Sequence, residues 1–221
     1  NFWIWEKYNS DYTYLLSADV ARGDGKDYSS FHIFKIETME IVGEYQGKAT
    51  PDLFANMLNE VGKEYGNCMI VVENNTVGWT VLDKLQEFAY PNIFYSYKSS
   101  HEYVDPLIGE RSNSAVMGFS MTSKTRPLVI AKLEEFIRNK LVTIYSTRTY
   151  NEMKTFVWHN SRPQAMRGYN DDLVMAFAIG CWVKDIAFEV NQRDMEYKKA
   201  FLNCMKKSDT IINTKIAGQH G

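Results

Sequence analysis

The chain has 221 residues, of which 45% are hydrophobic and 14% aromatic, enough apolar surface for one compact domain with a substantial core. Three cysteines, Cys68, Cys181 and Cys204, stand far apart without a Cys-x-x-Cys pair, and the four histidines show no ligand spacing. A disulfide framework and a zinc ribbon are therefore excluded. The net charge of −2 hides an asymmetry: residues 98 to 167 carry +5 and the remainder −7, the balance expected of a phosphate-binding surface beside an acidic cluster.

No apolar run is long enough to span a bilayer and no signal-peptide pattern opens the chain, which reads as an excised domain of a soluble, intracellular protein. Residues 1 to 11, with Phe2, Trp3, Ile4 and Trp5, are too aromatic for a disordered tag and are expected to pack on the domain or on a neighbour. Strands are expected at about 12–19, 29–37 and Met39 to Gln46. The short Glu37-Thr38 link permits only antiparallel pairing of the second and third. Thr50-Pro51 starts a helix, with Thr as N-cap, and Leu53, Phe54, Met57, Leu58 and Val61 recur at helical spacing up to Gly66. Cys68 to Glu73 is a fourth strand, entered by a crossover long enough for a parallel connection. Asn74 to Gly78 is a loop, Trp79 to Ala89 a helix, and Ile93 to Tyr97 a fifth strand.

Residues 98 to 126 turn polar and rich in Gly and Ser, the composition of a long loop or hairpin. Arg126-Pro127 opens a third helix that runs through Ile137; Leu141 to Tyr145 is expected as a short strand and Thr147 to Val157 as a helix. Gly168-Tyr169-Asn170 turns into a final core helix. From residue 191 the periodicity is lost, so the domain is placed at 1–190 and a tail or interaction segment at 191–221. The order of elements is that of a ribonuclease-H-like α/β fold, a mixed sheet flanked by helices.

Three acidic sites close core elements: Asp19 ends the first strand, Glu73 the fourth, and Asp171-Asp172 opens the last helix. One such carboxylate serves a turn well enough, but repeated burial is costly unless a cation lies between the members. If the first and fourth strands are neighbours, Asp19 and Glu73 emerge side by side, facing the start of the last helix. Converging carboxylates suit a pair of Mg²⁺ or Mn²⁺ ions about 3.5–4 Å apart. Such ions would generate a water nucleophile and stabilise a leaving 3′ oxygen in phosphodiester hydrolysis. Successive helical residues diverge, so only one of Asp171 and Asp172 can be an inner ligand. Asp27 is an auxiliary ligand or a closer of the hairpin. Gly23-Asp24-Gly25-Lys26 lacks the spacing of a P-loop and precedes a strand, which excludes an ATPase in this stretch. Lys124 and Arg126, in the polar stretch before a helix N-terminus, are candidate DNA phosphate contacts.

Ser17-Ala18-Asp19 with Gly23-x-Gly25-x-Asp27-Tyr28, then Val72-Glu73-Asn74-Asn75 with Gly78, Lys124-Thr125-Arg126, and Gly168-Tyr169-Asn170-Asp171-Asp172 through Ala176 together span roughly residues 12 to 185. In these motifs the chain resembles the nuclease domain of the large terminase subunit of tailed bacteriophages, especially the T4-like branch. Arg22 stands where some relatives carry an acidic residue. The resemblance implies a Mg²⁺-dependent endonuclease that cuts concatemeric double-stranded DNA, with Asp19, Glu73 and Asp172 as the metal-binding triad. It implies as partners an N-terminal ATPase domain of the same full-length chain, the portal and the small terminase subunit, acting in the host cell cytoplasm and transiently on the procapsid. The rival readings are another ribonuclease-H-like nuclease, such as a junction resolvase or transposase core, and a DNA-gripping module without catalysis.

Overall fold

The computed structural model describes residues 1–97, 115–160 and 162–185, with Ala187 and Glu196. Asn1–Lys184 make one compact unit and Asp185–Gly221 a second. The expected tail, 191–221, lies outside the described residues apart from Glu196.

The first unit is built on a five-stranded sheet in the order β1-β4-β3-β2-β5. Its strands are β1 (Phe2–Ile4), β2 (Tyr14–Asp19), β3 (Ser29–Lys35), β4 (Glu40–Gly47) and β5 (Met69–Val72). The link Glu37-Thr38 does give an antiparallel β3/β4 pair, and the crossover through α1 (Pro51–Glu64) makes β5 parallel to β2. Alternation splits β2 between two faces. Tyr14, Leu16 and Ala18 join Phe31, Ile33, Phe54, Leu58, Ile70, Val81 and Leu82 in one core, under α1 and α2 (Gly78–Glu87). Leu15, Ser17 and Asp19 point to the other face. There α5, a helix running from residue 172 to the end of the first unit, lies against the sheet: Phe177 packs on His32 and Phe34, and Ser17 Oγ donates to the Ala176 carbonyl at 2.6 Å. Gly180 allows that approach, because a Cβ there would lie 2.2 Å from the Phe34 ring.

Several expected elements are corrected. Residues 2–4 form an edge strand on β4, not merely a packed segment. The strand expected over Leu141 to Tyr145 reduces, among the described residues, to a parallel bridge of Thr143 with Glu40, just beyond where β1 ends its pairing with β4. The helix expected over Thr147 to Val157 stops at Thr155 (α4, Thr147–Thr155). The aromatic and β-branched run Phe156–His159 becomes β8 and pairs antiparallel with β9, Arg162–Ala165. Thr50 occupies the N-cap of α1, but its side chain makes no capping hydrogen bond. Of the polar stretch before α3 (Thr125–Arg138), Ala115–Met117 (β7) pairs with Tyr95–Tyr97 (β6), and residues 98–114 lie outside the described ones. Among the described residues no helix is long and apolar enough to cross a membrane.

Candidate active site

Parallel pairing of β2 with β5 runs in register from Leu15 opposite Met69 to Ala18 opposite Val72. One step further, Asp19 and Glu73 emerge together, and the Glu73 N–H donates to the Ala18 carbonyl at 3.0 Å. Both side chains continue the face that carries Ser17 and Val71, so they point toward the start of α5. Asp172 stands there, buried, accepting from the Tyr28 N–H at 3.1 Å and from Asn170 Nδ2 at 3.2 Å. Asn170 Nδ2 also reaches the Lys26 carbonyl at 3.1 Å, tying the Gly-Asp-Gly loop to the helix start. The result is a cleft of about 430 Å³ lined by Asp19, Asp27, Glu73, Asp171 and Asp172, with Arg22 and Asn75.

The electrostatics follow from placing carboxylates together away from water. Burial, then the Glu73 and Asp172 charges, hold the Asp19 carboxyl well above its usual range; it shares a hydrogen bond with Glu73. Burial also raises Glu73, opposed by that hydrogen bond, by the Arg126 charge and by the amide of Asn75. Asp172 is pushed up to about 6, chiefly by burial, with its two donors pulling the other way and Asp171 and Asp27 adding repulsion.

Carboxylate oxygens are the donors a hard divalent cation takes, and a cation in the cleft would offset the burial that raises Asp19, Glu73 and Asp172. Among the described residues no three acidic or imidazole side chains close around a single point. The acids are distributed along an open cleft.

Of the sequence-predicted residues, the cleft brings the five acids together, with Asp27 exposed at its rim. Asp171 is turned to Arg126, with which it forms an ion pair; Arg126 Nε donates to the Pro163 carbonyl at 2.9 Å. Arg126 therefore links the N-terminal turn of α3, the β8–β9 hairpin and the cleft. Lys124 is exposed at the N-cap of α3 and is not among the described residues lining the cleft.

Sequence reasoning missed two supporting residues. Glu152, on α4, accepts the backbone N–H groups of Leu173 at 2.9 Å and Val174 at 3.3 Å. Burial and then the Asp172 charge raise it to about 7. His32, buried on β3, bonds the Leu173 carbonyl through Nε2 at 3.0 Å, so Nε2 carries the proton. Burial lowers its pKa. Glu152 stands within a polar helix and carries no local signal of its role, and His32 alternates with Phe31 and Ile33 in a strand whose other face nothing local marks.

No family model matches the chain. Solved structures similar to it include the large terminase nuclease from thermophilic phage G20c with bound magnesium, at 18% identity and TM-score 0.62 over 81% of this chain and 86% of that one. The same nuclease with bound cobalt gives 19% identity and TM-score 0.62 over the same shares. The Thermus phage P74-26 large terminase nuclease domain gives 18% identity and TM-score 0.58 over 80% of this chain and 82% of that one. The chain has the ribonuclease-H-like fold of these nucleases.

Proposed function

We propose that the chain is the nuclease domain of a large terminase subunit, of the T4-like branch: a metal-dependent endonuclease cutting concatemeric double-stranded DNA at the start and end of genome packaging. The observation that carries this reading is the register of β2 on β5, which delivers Asp19 and Glu73 side by side opposite Asp172. The terminase nucleases of like fold, one crystallised with magnesium and another form with cobalt, support it.

In this reading Asp19, Glu73 and Asp172 hold two Mg²⁺ or Mn²⁺ ions, with Asp171 and Asp27 as further oxygen donors. When bound, the metal supplies water activation and stabilisation of the leaving 3′ oxygen in phosphodiester hydrolysis. The residues of the chain do the rest. Asn75 orients the Glu73 carboxylate, and Tyr28 and Asn170 orient that of Asp172. Arg126 balances the local negative charge, and with Lys124 it meets the DNA backbone. The partners are the N-terminal ATPase domain, the portal and the small terminase subunit, in the host cell cytoplasm and transiently on the procapsid, with the nuclease at 1–190 and an interaction segment at 191–221.

The test is cleavage of supercoiled plasmid, linear duplex, four-way junction and RNA–DNA hybrid in Mg²⁺ or Mn²⁺. Asp19→Asn, Glu73→Gln and Asp172→Asn are each expected to abolish cutting of duplex DNA with the circular dichroism spectrum unchanged. Selective cutting of junctions or hybrids would favour a resolvase-like enzyme. Metal-independent DNA binding with no cleavage would leave a DNA-gripping module.

A further inference from the structure

Asp171 occupies the N-cap of α5: its carbonyl accepts the Met175 N–H at 2.8 Å, and the helix begins at residue 172. The first N–H groups of a helix lack intrahelical acceptors, and the N-cap side chain ordinarily bonds those of the second and third positions. Here the Asp171 carboxylate is engaged with Arg126 instead. Those two N–H groups belong to Leu173 and Val174, and both go to Glu152 Oε2, from a different helix. The other oxygen of Glu152 accepts from Gln46 Nε2 on β4 at 2.5 Å, so the carboxylate is itself held. On the opposite side of the same turn His32 takes the Leu173 carbonyl. The residue directly after Asp172 is thus gripped at both its N–H and its carbonyl by side chains from α4 and β3. Burial and the charge of Asp172 both disfavour an acid at position 152. An amide oxygen of the same reach would accept the same two N–H groups, so what position 152 supplies is the placement of the acceptor rather than its charge.

We propose that Glu152 is a positioning residue for Asp172: by capping α5 in place of Asp171 it fixes the direction of the Asp172 carboxylate and leaves the Asp171 carboxylate to its pair with Arg126. This rests on the reading of Asp172 as a metal ligand. Supporting residues of this kind alter metal affinity by about 10–100-fold.

The experiment is Mn²⁺ titration by calorimetry, without DNA, on the full chain and its Glu152→Gln, Glu152→Asp, Glu152→Ala and Asp172→Asn variants. Glu152→Gln keeps the reach of the acceptor and loses the charge; Glu152→Asp keeps the charge and withdraws the acceptor by one methylene. A positioning role gives near-native Mn²⁺ affinity in Glu152→Gln and a loss of about tenfold in Glu152→Asp and Glu152→Ala. That loss should vanish when Glu152→Asp is combined with Asp172→Asn. The reverse order, with Gln weak and Asp native, would overturn the proposal in favour of a purely electrostatic role. Equal losses in both Asp172 backgrounds would overturn it in favour of a general role in folding. Native affinity in Glu152→Asp beside weakened Asp172→Asn would sink the positioning role alone, whereas native affinity in Asp172→Asn would sink the ligand assignment and the positioning role with it. Should Glu152→Ala fail to fold, the Gln and Asp pair still decides between these outcomes.

Discussion

Replacing Asp172 by Asn should stabilise the metal-free protein while destroying its proposed activity. In the folded state the Asp172 carboxyl titrates near 6, against 3.8 for an ordinary aspartate, because it is buried among other acids. A group raised in this way holds more protons in the native state than in the unfolded chain between those two values, so stability falls as pH rises through that window. Taken in full, the displacement costs about 3 kcal/mol above pH 6, since each tenfold change in proton affinity is worth about 1.4 kcal/mol. Asn keeps an oxygen for the Tyr28 N–H and Asn170 Nδ2 and carries no charge to desolvate. For a domain of this size about 2–4 °C accompanies each kcal/mol, so Tm in EDTA at pH 8 should rise by about 6–12 °C. Near pH 4, where the native carboxyl is already protonated, the gain should shrink below about 1 kcal/mol. Differential scanning calorimetry of both proteins at pH 4 and pH 8 reads both values. A variant no more stable than the wild type at pH 8, or equally stabilised at both pH values, would refute the claim that Asp172 is held as a repelled, desolvated acid.

Three further outcomes are expected. Gly78→Ala should lower Tm by several degrees, because a Cβ there would lie 1.8 Å from the Glu73 carbonyl oxygen and overpacking costs about 1–3 kcal/mol; an unchanged melting curve would mean that the loop relaxes freely. Asp171→Asn should impair Mn²⁺-dependent cleavage less than Asp172→Asn, since Asp171 already spends its carboxylate on Arg126; a dead Asp171 variant beside an active Asp172 variant would reverse the assignment. Lys124→Ala combined with Arg126→Ala should weaken DNA binding alike on all sequences and flatten its dependence on log salt by about 0.9 per lost phosphate contact, measured in Ca²⁺ to prevent cutting. Identical slopes would put the DNA track elsewhere.

Local pattern by itself determined the element order from β2 to α2, the antiparallel β3/β4 pair and the acids at the element ends Asp19, Glu73 and Asp171-Asp172, because alternation, helical spacing and turn chemistry act over a few residues. The N-terminal edge strand escaped it, since three aromatic and aliphatic residues have too short a run to show a period. Phe156 and Val157, the first half of the strand Phe156–His159, were read into the preceding helix for a related reason: the strand forms only because Arg162–Ala165 returns beside it. What the tertiary structure alone decided is how the acids are held. The Asp171–Arg126 pair joins residues 45 positions apart, and the Glu152 bond to Leu173 joins residues 21 apart on different helices. Neither leaves a periodic trace in the chain, because the partner of a buried carboxylate is set by which surfaces pack together. The sequence could count the acids at strand and helix ends; only packing could assign each of them a donor, a cation or a repelling neighbour.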